Sequence, residues 1–560
     1  MVPFTQLLDP LHSLPGSTLL ALVPVATLLL LLAVFRMTAW RAVIIGSAVT
    51  LILAVTVWNA PVGNALAAYG LGAATGVWSV DWIVFWGVII YNTMVVTGTF
   101  EDFKRWLIRQ ATADIRVQTM LMAWALGALM EGLVGFGYPW AVVAPILIGL
   151  GVADLAAIRV AALANNAPVS YGALGAPVIG LAAVTGLPLL SLSASIGKIV
   201  AILALLPPWV LIYLVSGRRG LRDGWPLAIA GSLGYIAGQF PIAEWVGPYL
   251  PDVVGSLVCF VVLLGLLRVW RPKSVLGFGG RELSAEEISA FEREAELTPG
   301  LAGAAPADGP GTPAAGWAAS RNGRVVRALV PFGILIAVVV LWTGPWSSLP
   351  GYIPFEPKAT AVGSLGGTVE SAWKFAPFVA GTAILVSWLL IVIFLRPRAS
   401  QFSTIFRTTL HQMWGALLVG PFIFGLAYVF SYSGMANTMA NGFAKVGTSY
   451  VLLAAVLGWI AVALSGSNTS SNALFGAFQL SVAKLLGAPL LLFPSLNSVG
   501  AEVGKPVAPQ TASVGVSTTK YVRNEGEVIR YNMGWTLVML VYLVAIGCLF
   551  YFLLPDAMRL

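Results

Sequence analysis

Apolar residues fill long blocks of this chain, separated by short polar connections. A helix needs about 20 predominantly apolar residues to cross the hydrocarbon core of a bilayer. Blocks of that kind stand at 14–35, 42–58, 82–100, 117–130, 195–215, 225–238, 253–267, 328–346, 376–395, 413–430, 451–464 and 535–554. The pattern predicts an all-α polytopic membrane protein with about 12 spans. The first block has no basic flank before it and reads as a span rather than a cleaved signal peptide. Two further stretches, 131–190 and 465–519, are apolar but interrupted by Gly, Pro, Asn and Ser.

Composition agrees and narrows the chemistry. Of 560 residues, 58% are hydrophobic and 10% are charged, against about 25% charged in soluble domains. The two histidines, His12 and His411, and two cysteines, Cys259 and Cys548, are too few for a histidine- or thiolate-rich metal or haem site. No Asp-x-x-Asp cluster is present, which argues against an integral-membrane enzyme using Mg²⁺. A net charge of +8 does not call for nucleic acid, because membrane proteins gather basic residues at cytoplasmic helix ends.

The basic residues cluster after alternate spans: Arg36 and Arg41; Lys104, Arg105, Arg109 and Arg116; Arg218, Arg219 and Arg222; Arg268, Arg271 and Lys273; Arg396, Arg398 and Arg407; Lys520, Arg523 and Arg530. Placing all six clusters in the cytoplasm puts both termini outside. One polar insertion, 271–325, holds seven of the 23 acidic residues and a Pro/Gly/Ala run over 298–319. Within it Ser284-Ala-Glu-Glu287 is a capping box flanked by Leu283 and Ile288, which predicts a short cytoplasmic helix. The chain thus divides into a membrane half at 1–270, a linker at 271–325 and a second membrane half at 326–560.

Each half contains one interrupted stretch, and the two share an order. The first reads Glu131-Gly-Leu-Val-Gly-Phe-Gly-Tyr-Pro139, an apolar segment, then Ala164-Asn-Asn-Ala-Pro-Val-Ser-Tyr-Gly-Ala-Leu-Gly-Ala-Pro177. The second reads Ser465-Gly-Ser-Asn-Thr-Ser-Ser-Asn472, an apolar segment, then Asn497-Ser-Val-Gly-Ala-Glu-Val-Gly-Lys-Pro-Val-Ala-Pro-Gln510. Non-helical backbone at membrane depth must line a cavity or lie inside protein. Matched interruptions in two halves point to a transport site between inverted repeats with discontinuous helices. The N-termini of such half-helices suit an anionic substrate.

Glu131-Gly-x-x-Gly-Phe-Gly-x-Pro139, Ala164-Asn-x-Ala-Pro-Val169, Tyr171-Gly-Ala-Leu-Gly175, Ser465-Gly-Ser-x-Thr-Ser-Ser-Asn-Ala-Leu-Phe-Gly476, Gly504-Lys505 and Pro509-Gln510 resemble the L-lactate permease family along most of the chain. The resemblance implies two re-entrant hairpins and proton-coupled uptake of lactate or a related 2-hydroxy monocarboxylate such as glycolate. It also implies a bacterial-type cytoplasmic (inner) membrane and no cofactor. Six positions depart from the family pattern, among them Pro506 directly after Lys505. Asn468 replaces an Asp, Tyr138 and Asn166 stand where Thr is usual, and Glu502 with Ala501 stands where small or aliphatic residues are usual.

Glu131 is the first candidate for the coupling proton and Glu502 the second, since burial favours the neutral form of a carboxyl group. Lys505 is the candidate partner for a substrate carboxylate; three residues after Glu502, it is also placed to neutralise that acid. Asn165, Asn166, Asn468, Asn472 and Asn497, with Ser467, Thr469, Ser470, Ser471 and Ser498, can bind a carboxylate and a 2-hydroxyl or cap broken helices. Tyr138 and Tyr171 are candidate pocket walls. The motif match adds Gly135, Phe136, Gly137, Ser170 and Gln510 as substrate contacts. The expected partners are a small carboxylate and the lipid bilayer, with a homodimer left open. Na⁺ coupling, with Ser, Thr, Asn and carbonyl oxygens as ligands, is the alternative, and an anion channel is a further one.

Overall fold

The computed structural model describes residues 4–110, 112–135, 137–297, 321–517, 519–521 and 524–560. Among them, nine helices are long and apolar enough to cross a membrane, or ten if one bent pair counts as a span. The difference from twelve comes partly from neighbouring blocks that count as one helical run. The blocks expected at 195–215 and 225–238 lie in one run, Leu189–Trp245, interrupted at Gly217 by a left-handed φ. The block at 117–130 is a buried rod in which Thr119–Leu126 winds as a π-helix. Conversely, Val62–Thr75, rich in Gly and Ala, continues into Trp82–Val96 as part of a 35-residue helical run, Val62–Val96.

One element departs from an all-α reading. Strands Lys358–Val362 and Thr368–Ala372 pair antiparallel, and Thr5 bridges Val362 on the other edge. Gly366 and Gly367 supply the positive φ of the turn. The hairpin is tied to the helix Ala399–Ser433, whose Tyr428 and Tyr432 hydroxyls donate to the carbonyls of Ala372 and Thr360. Strands of five residues between two apolar blocks leave too short an alternation to stand out from a loop.

The linker carries its predicted cap. Helix Ala285–Leu297 begins where the Ser284 N–H donates to Glu287 Oε2 at 2.8 Å and the Glu287 N–H donates to Ser284 Oγ at 3.2 Å. The Pro/Gly/Ala run lies outside the described residues. Before that helix, the Ile115 N–H donates to the Leu276 carbonyl at 2.8 Å, so the start of the linker is docked on the membrane half.

The two interrupted stretches position the site. In the first, the helix Gly127–Leu133 ends before Gly135 and Gly137, both at positive φ, and Tyr138–Gly149 starts the return. Asp154–Ala164 then breaks against Val169–Thr185 with a bend of 66°. Ala173, Leu174 and Gly175 are successively left-handed there, costing about 1–2 kcal/mol for each non-glycine residue. In the second, Tyr450–Ser465 ends at left-handed Gly466, and Ser467 caps Asn468–Leu486 by accepting from the Ser470 N–H. Helix Leu492–Gly504 follows and gives way to a single 3₁₀ turn, Lys505–Val507. It packs backbone to backbone on Tyr450–Ser465: a Cβ at Gly500 would lie 2.1 Å from the Ala455 carbonyl oxygen.

Candidate functional site

The breaks of the two halves meet. Lys505, leaving the end of its helix, donates from Nζ to Glu131 Oε1 at 2.6 Å across 374 residues of sequence. Both side chains are buried, and Asn165 Nδ2 holds the other carboxylate oxygen, Oε2, at 2.8 Å. Gly172 makes room for the carboxylate, because a Cβ there would lie 2.5 Å from Glu131 Oε1. The expected neutralisation of Glu502 by Lys505 is therefore not the pairing formed. The helix ends at Gly504, and the tighter turn that follows carries Lys505 to the opposite half.

Glu502 is fully buried and accepts the Ser170 N–H at 3.0 Å on Oε2, while Oε1 has no partner among the described residues. From Ser170 a polar chain runs into the second half. Ser498 Oγ donates to Ser170 Oγ at 3.3 Å, Asn472 Nδ2 donates to Ser498 Oγ at 3.0 Å, and Asn497 Nδ2 donates to Asn472 Oδ1 at 3.0 Å. Asn472 also donates to the Pro177 carbonyl at 3.0 Å, and Asn468 to that of Ser498 at 3.1 Å. These asparagines bind one another and helix carbonyls across the contact, so part of the cluster joins the two halves.

The candidate residues fall into two groups. Glu131, Asn165, Ser170, Asn468, Asn472, Asn497, Ser498, Glu502 and Lys505 form the buried contact between halves. Ser467, Thr469, Ser470, Ser471 and Gln510 line a pocket whose apolar wall includes Val84 and Phe424. Asn166 is buried with both amide atoms unpartnered among the described residues, as are Asn468 Oδ1 and Ser471 Oγ. Gly135 and Gly137 contribute turn geometry, with the position of a Cβ on Gly137 lying 3.0 Å from Thr511 Cγ2. Tyr138 is half-buried, whereas the fully buried Tyr171 donates to the Ser193 carbonyl at 2.6 Å. Phe136 lies outside the described residues.

Sequence reasoning passed over two acids. Asp252, in the first turn of Pro251–Val269, is buried and accepts from Tyr235 OH at 2.8 Å. Asp81 lines the cavity opposite the 465–471 turn, where Gly420 leaves it space. Asp252 directly follows Pro251 in a connection nearly free of Lys and Arg, and an acid at the start of an apolar block is the sequence signal that could have found it. No group of three His, Cys, Asp or Glu residues able to hold a metal occurs among the described residues.

A family model described as L-lactate permease matches residues 17–555. The glycolate permease GlcA of Escherichia coli strain K12 is 32% identical over 96% of both chains. The L-lactate permease of Bacillus subtilis strain 168 is 31% identical, again over 96% of each. Neisseria gonorrhoeae MtrF, from a class of antimetabolite efflux pumps, superposes over 90% of this chain and 84% of its own, with a TM-score of 0.45 at 14% identity. The chain belongs to the L-lactate permease family and is a multi-pass membrane transporter, not an enzyme.

Proposed function

We propose that this member of the L-lactate permease family carries a small 2-hydroxy monocarboxylate, L-lactate or glycolate, together with a proton. The observation that supports this most is the buried Lys505–Glu131 pair, drawn from separate breaks in the two halves. An ammonium has three N–H donors, and among the described residues Lys505 uses one. A substrate carboxylate takes Lys505 from Glu131, and Glu131, losing its counter-charge, takes the proton. The pair is neutral before this exchange; afterwards the protonated acid and the substrate–lysine pair are neutral again. A complex without net charge crosses a low-dielectric interior at far lower cost than a bare anion.

Asn166, beside Asn165, offers a free donor and acceptor for the 2-hydroxyl. The two interrupted stretches act as re-entrant elements of inverted repeats, with both termini outside the cytoplasmic membrane of a bacterium. The unpartnered oxygens of Asn468 and Ser471 favour a second reading, in which Na⁺ sits in the second break.

Uptake of labelled L-lactate and glycolate into proteoliposomes, with an inward proton gradient in sodium-free buffer, tests both readings. Accumulation that collapses with a protonophore supports proton symport. Accumulation driven only by a sodium gradient favours the second reading. No uptake of either acid by folded protein overturns the substrate class.

A further inference from the structure

Beside the site, a second set of polar groups is buried without doing any of the work assigned so far. Tyr235 and Gln239 lie one turn apart on Pro207–Trp245, and both are fully buried. Tyr235 OH donates to Asp252 Oδ1 at 2.8 Å and also reaches the Ala167 carbonyl, in the first break, at 3.4 Å. Asp252 backs the helix that carries Glu131, since a Cβ on Gly132 would lie 2.7 Å from Asp252 Cβ. The ionisable groups around Asp252 include Tyr235 on its neighbouring helix, Tyr171, Glu131 on Gly127–Leu133, and Glu502 and Lys505 across the site.

Away from the site the same seam continues to the surface. Tyr171 OH and Gln239 Nε2 both flank Gly197, lying 3.1 and 3.6 Å from where its Cβ would stand. The next residue, Lys198, pairs with Glu244 at 3.5 Å, and about a quarter of each side chain is exposed (28% and 24%). Five buried polar atoms along this line have no partner among the described residues: Asp252 Oδ2, Gln239 Nε2 and Oε1, Ser193 Oγ and Glu244 Oε2. Buried polar atoms are hydrogen-bonded to protein or to ordered water, and a polar row of this kind is satisfied by water.

From this arrangement we infer a proton path separate from the substrate cavity. Asp252 and Tyr235 are its relay, and a hydrated seam past Gln239, Tyr171 and Ser193 joins them to the surface at Lys198–Glu244. The proton moves as a hydron along hydrogen bonds: a water gives its proton to Asp252 Oδ2 as it takes one from the row behind it, Asp252 passes a proton on toward Glu131 and Glu502, and one O–H bond breaks for each that forms. This inference rests on the proton-coupled reading above. It adds that the coupling proton does not have to travel with the substrate.

Two measurements test it. In proteoliposomes, Asp252→Asn lowers proton-driven lactate accumulation by about tenfold or more, while lactate–lactate exchange, which needs no net proton movement, falls far less. Tyr235→Phe gives a smaller loss with the same split. Equal loss of exchange and accumulation in well-folded Asp252→Asn protein, or no loss of either, overturns the relay. The second measurement needs no transport at all, and so separates failure of the relay from failure of proton coupling. An infrared pH titration of the purified protein shows a carboxylic-acid band that is missing from Asp252→Asn. A band pattern identical in the two proteins overturns the assignment, whatever ion drives uptake.

Discussion

Two buried ion pairs in this protein make opposite use of the same interaction. In Asp114–Arg116, the guanidinium donates to both carboxylate oxygens, at 2.9 and 2.6 Å, and to the carbonyls of Gly220 and Ser274. Asp114 also accepts the N–H groups of Arg116 and Leu276. The pair therefore staples the start of one helix to another helix and to the linker. Lys505–Glu131 is a single contact between a point charge and a carboxylate, with Asn165 behind it and unpartnered polar atoms around it. A bidentate arginine pair with four of its five N–H groups engaged is locked; a lysine with two of three to spare among the described residues can change partners. On the proposed mechanism, the difference separates a pair that holds the fold from a pair that a competing carboxylate opens.

Exchanging the properties of the two pairs should break this contrast. The largest effect is expected from Lys505→Ala, which weakens apparent lactate affinity by about a hundredfold or more in proteoliposome uptake. Lys505→Arg does not restore it, because a planar fork that grips Glu131 at two points opposes release. Next comes Glu131→Gln, a mimic of the protonated acid: proton-driven accumulation falls by about a hundredfold, while exchange falls less. Arg116→Ala has the reverse profile. It leaves Asp114 buried without its cation and destabilises by about 3–5 kcal/mol in thermal or denaturant unfolding. The protein that remains folded keeps its ratio of accumulation to exchange.

Gly500→Ala should cost about 1–3 kcal/mol by forcing the helix that carries Glu502 and leads into Lys505 away from Tyr450–Ser465. It lowers the amount of folded protein more than it alters coupling. The smallest effect lies in the linker. Glu287 is held below the ordinary glutamate range, first by the Ser284 N–H and then by Arg281. Its capping contribution is present above the ordinary glutamate value and is lost as pH falls through the lower folded value. Amide protection factors in helix Ala285–Leu297, taken relative to the intrinsic exchange rate at each pH, should therefore fall only under acid conditions, with transport coupling unchanged.

What was legible in the sequence was local or forced by the bilayer. Dense clusters of Gly, Pro and Asn favour non-helical backbone, which cannot face lipid, so the sequence alone could place both breaks. Glu131 and Lys505 were conspicuous as charges in apolar surroundings, and the Ser284–Glu287 cap spans only three residues. Their pairing was not legible. Spacing suggested Glu502 as the partner of Lys505, whereas the chosen partner lies in the other half, reached because the helix tightens after Gly504. Asp252 looked like part of a polar connection, yet Tyr235 from a neighbouring helix buries it. The weakly apolar helix Val62–Thr75 and the five-residue strands near 358–372 carried too little contrast with their flanks.

The central claim is that substrate displaces Glu131 from Lys505 and that Glu131 takes up a proton as it leaves. The direct measurement is proton uptake from weakly buffered solution when L-lactate is added to the purified protein. The account predicts uptake that tracks lactate binding in the wild-type protein and is abolished by Glu131→Gln while binding remains measurable. Lactate binding with no proton uptake, or uptake that persists unchanged in Glu131→Gln, would contradict it.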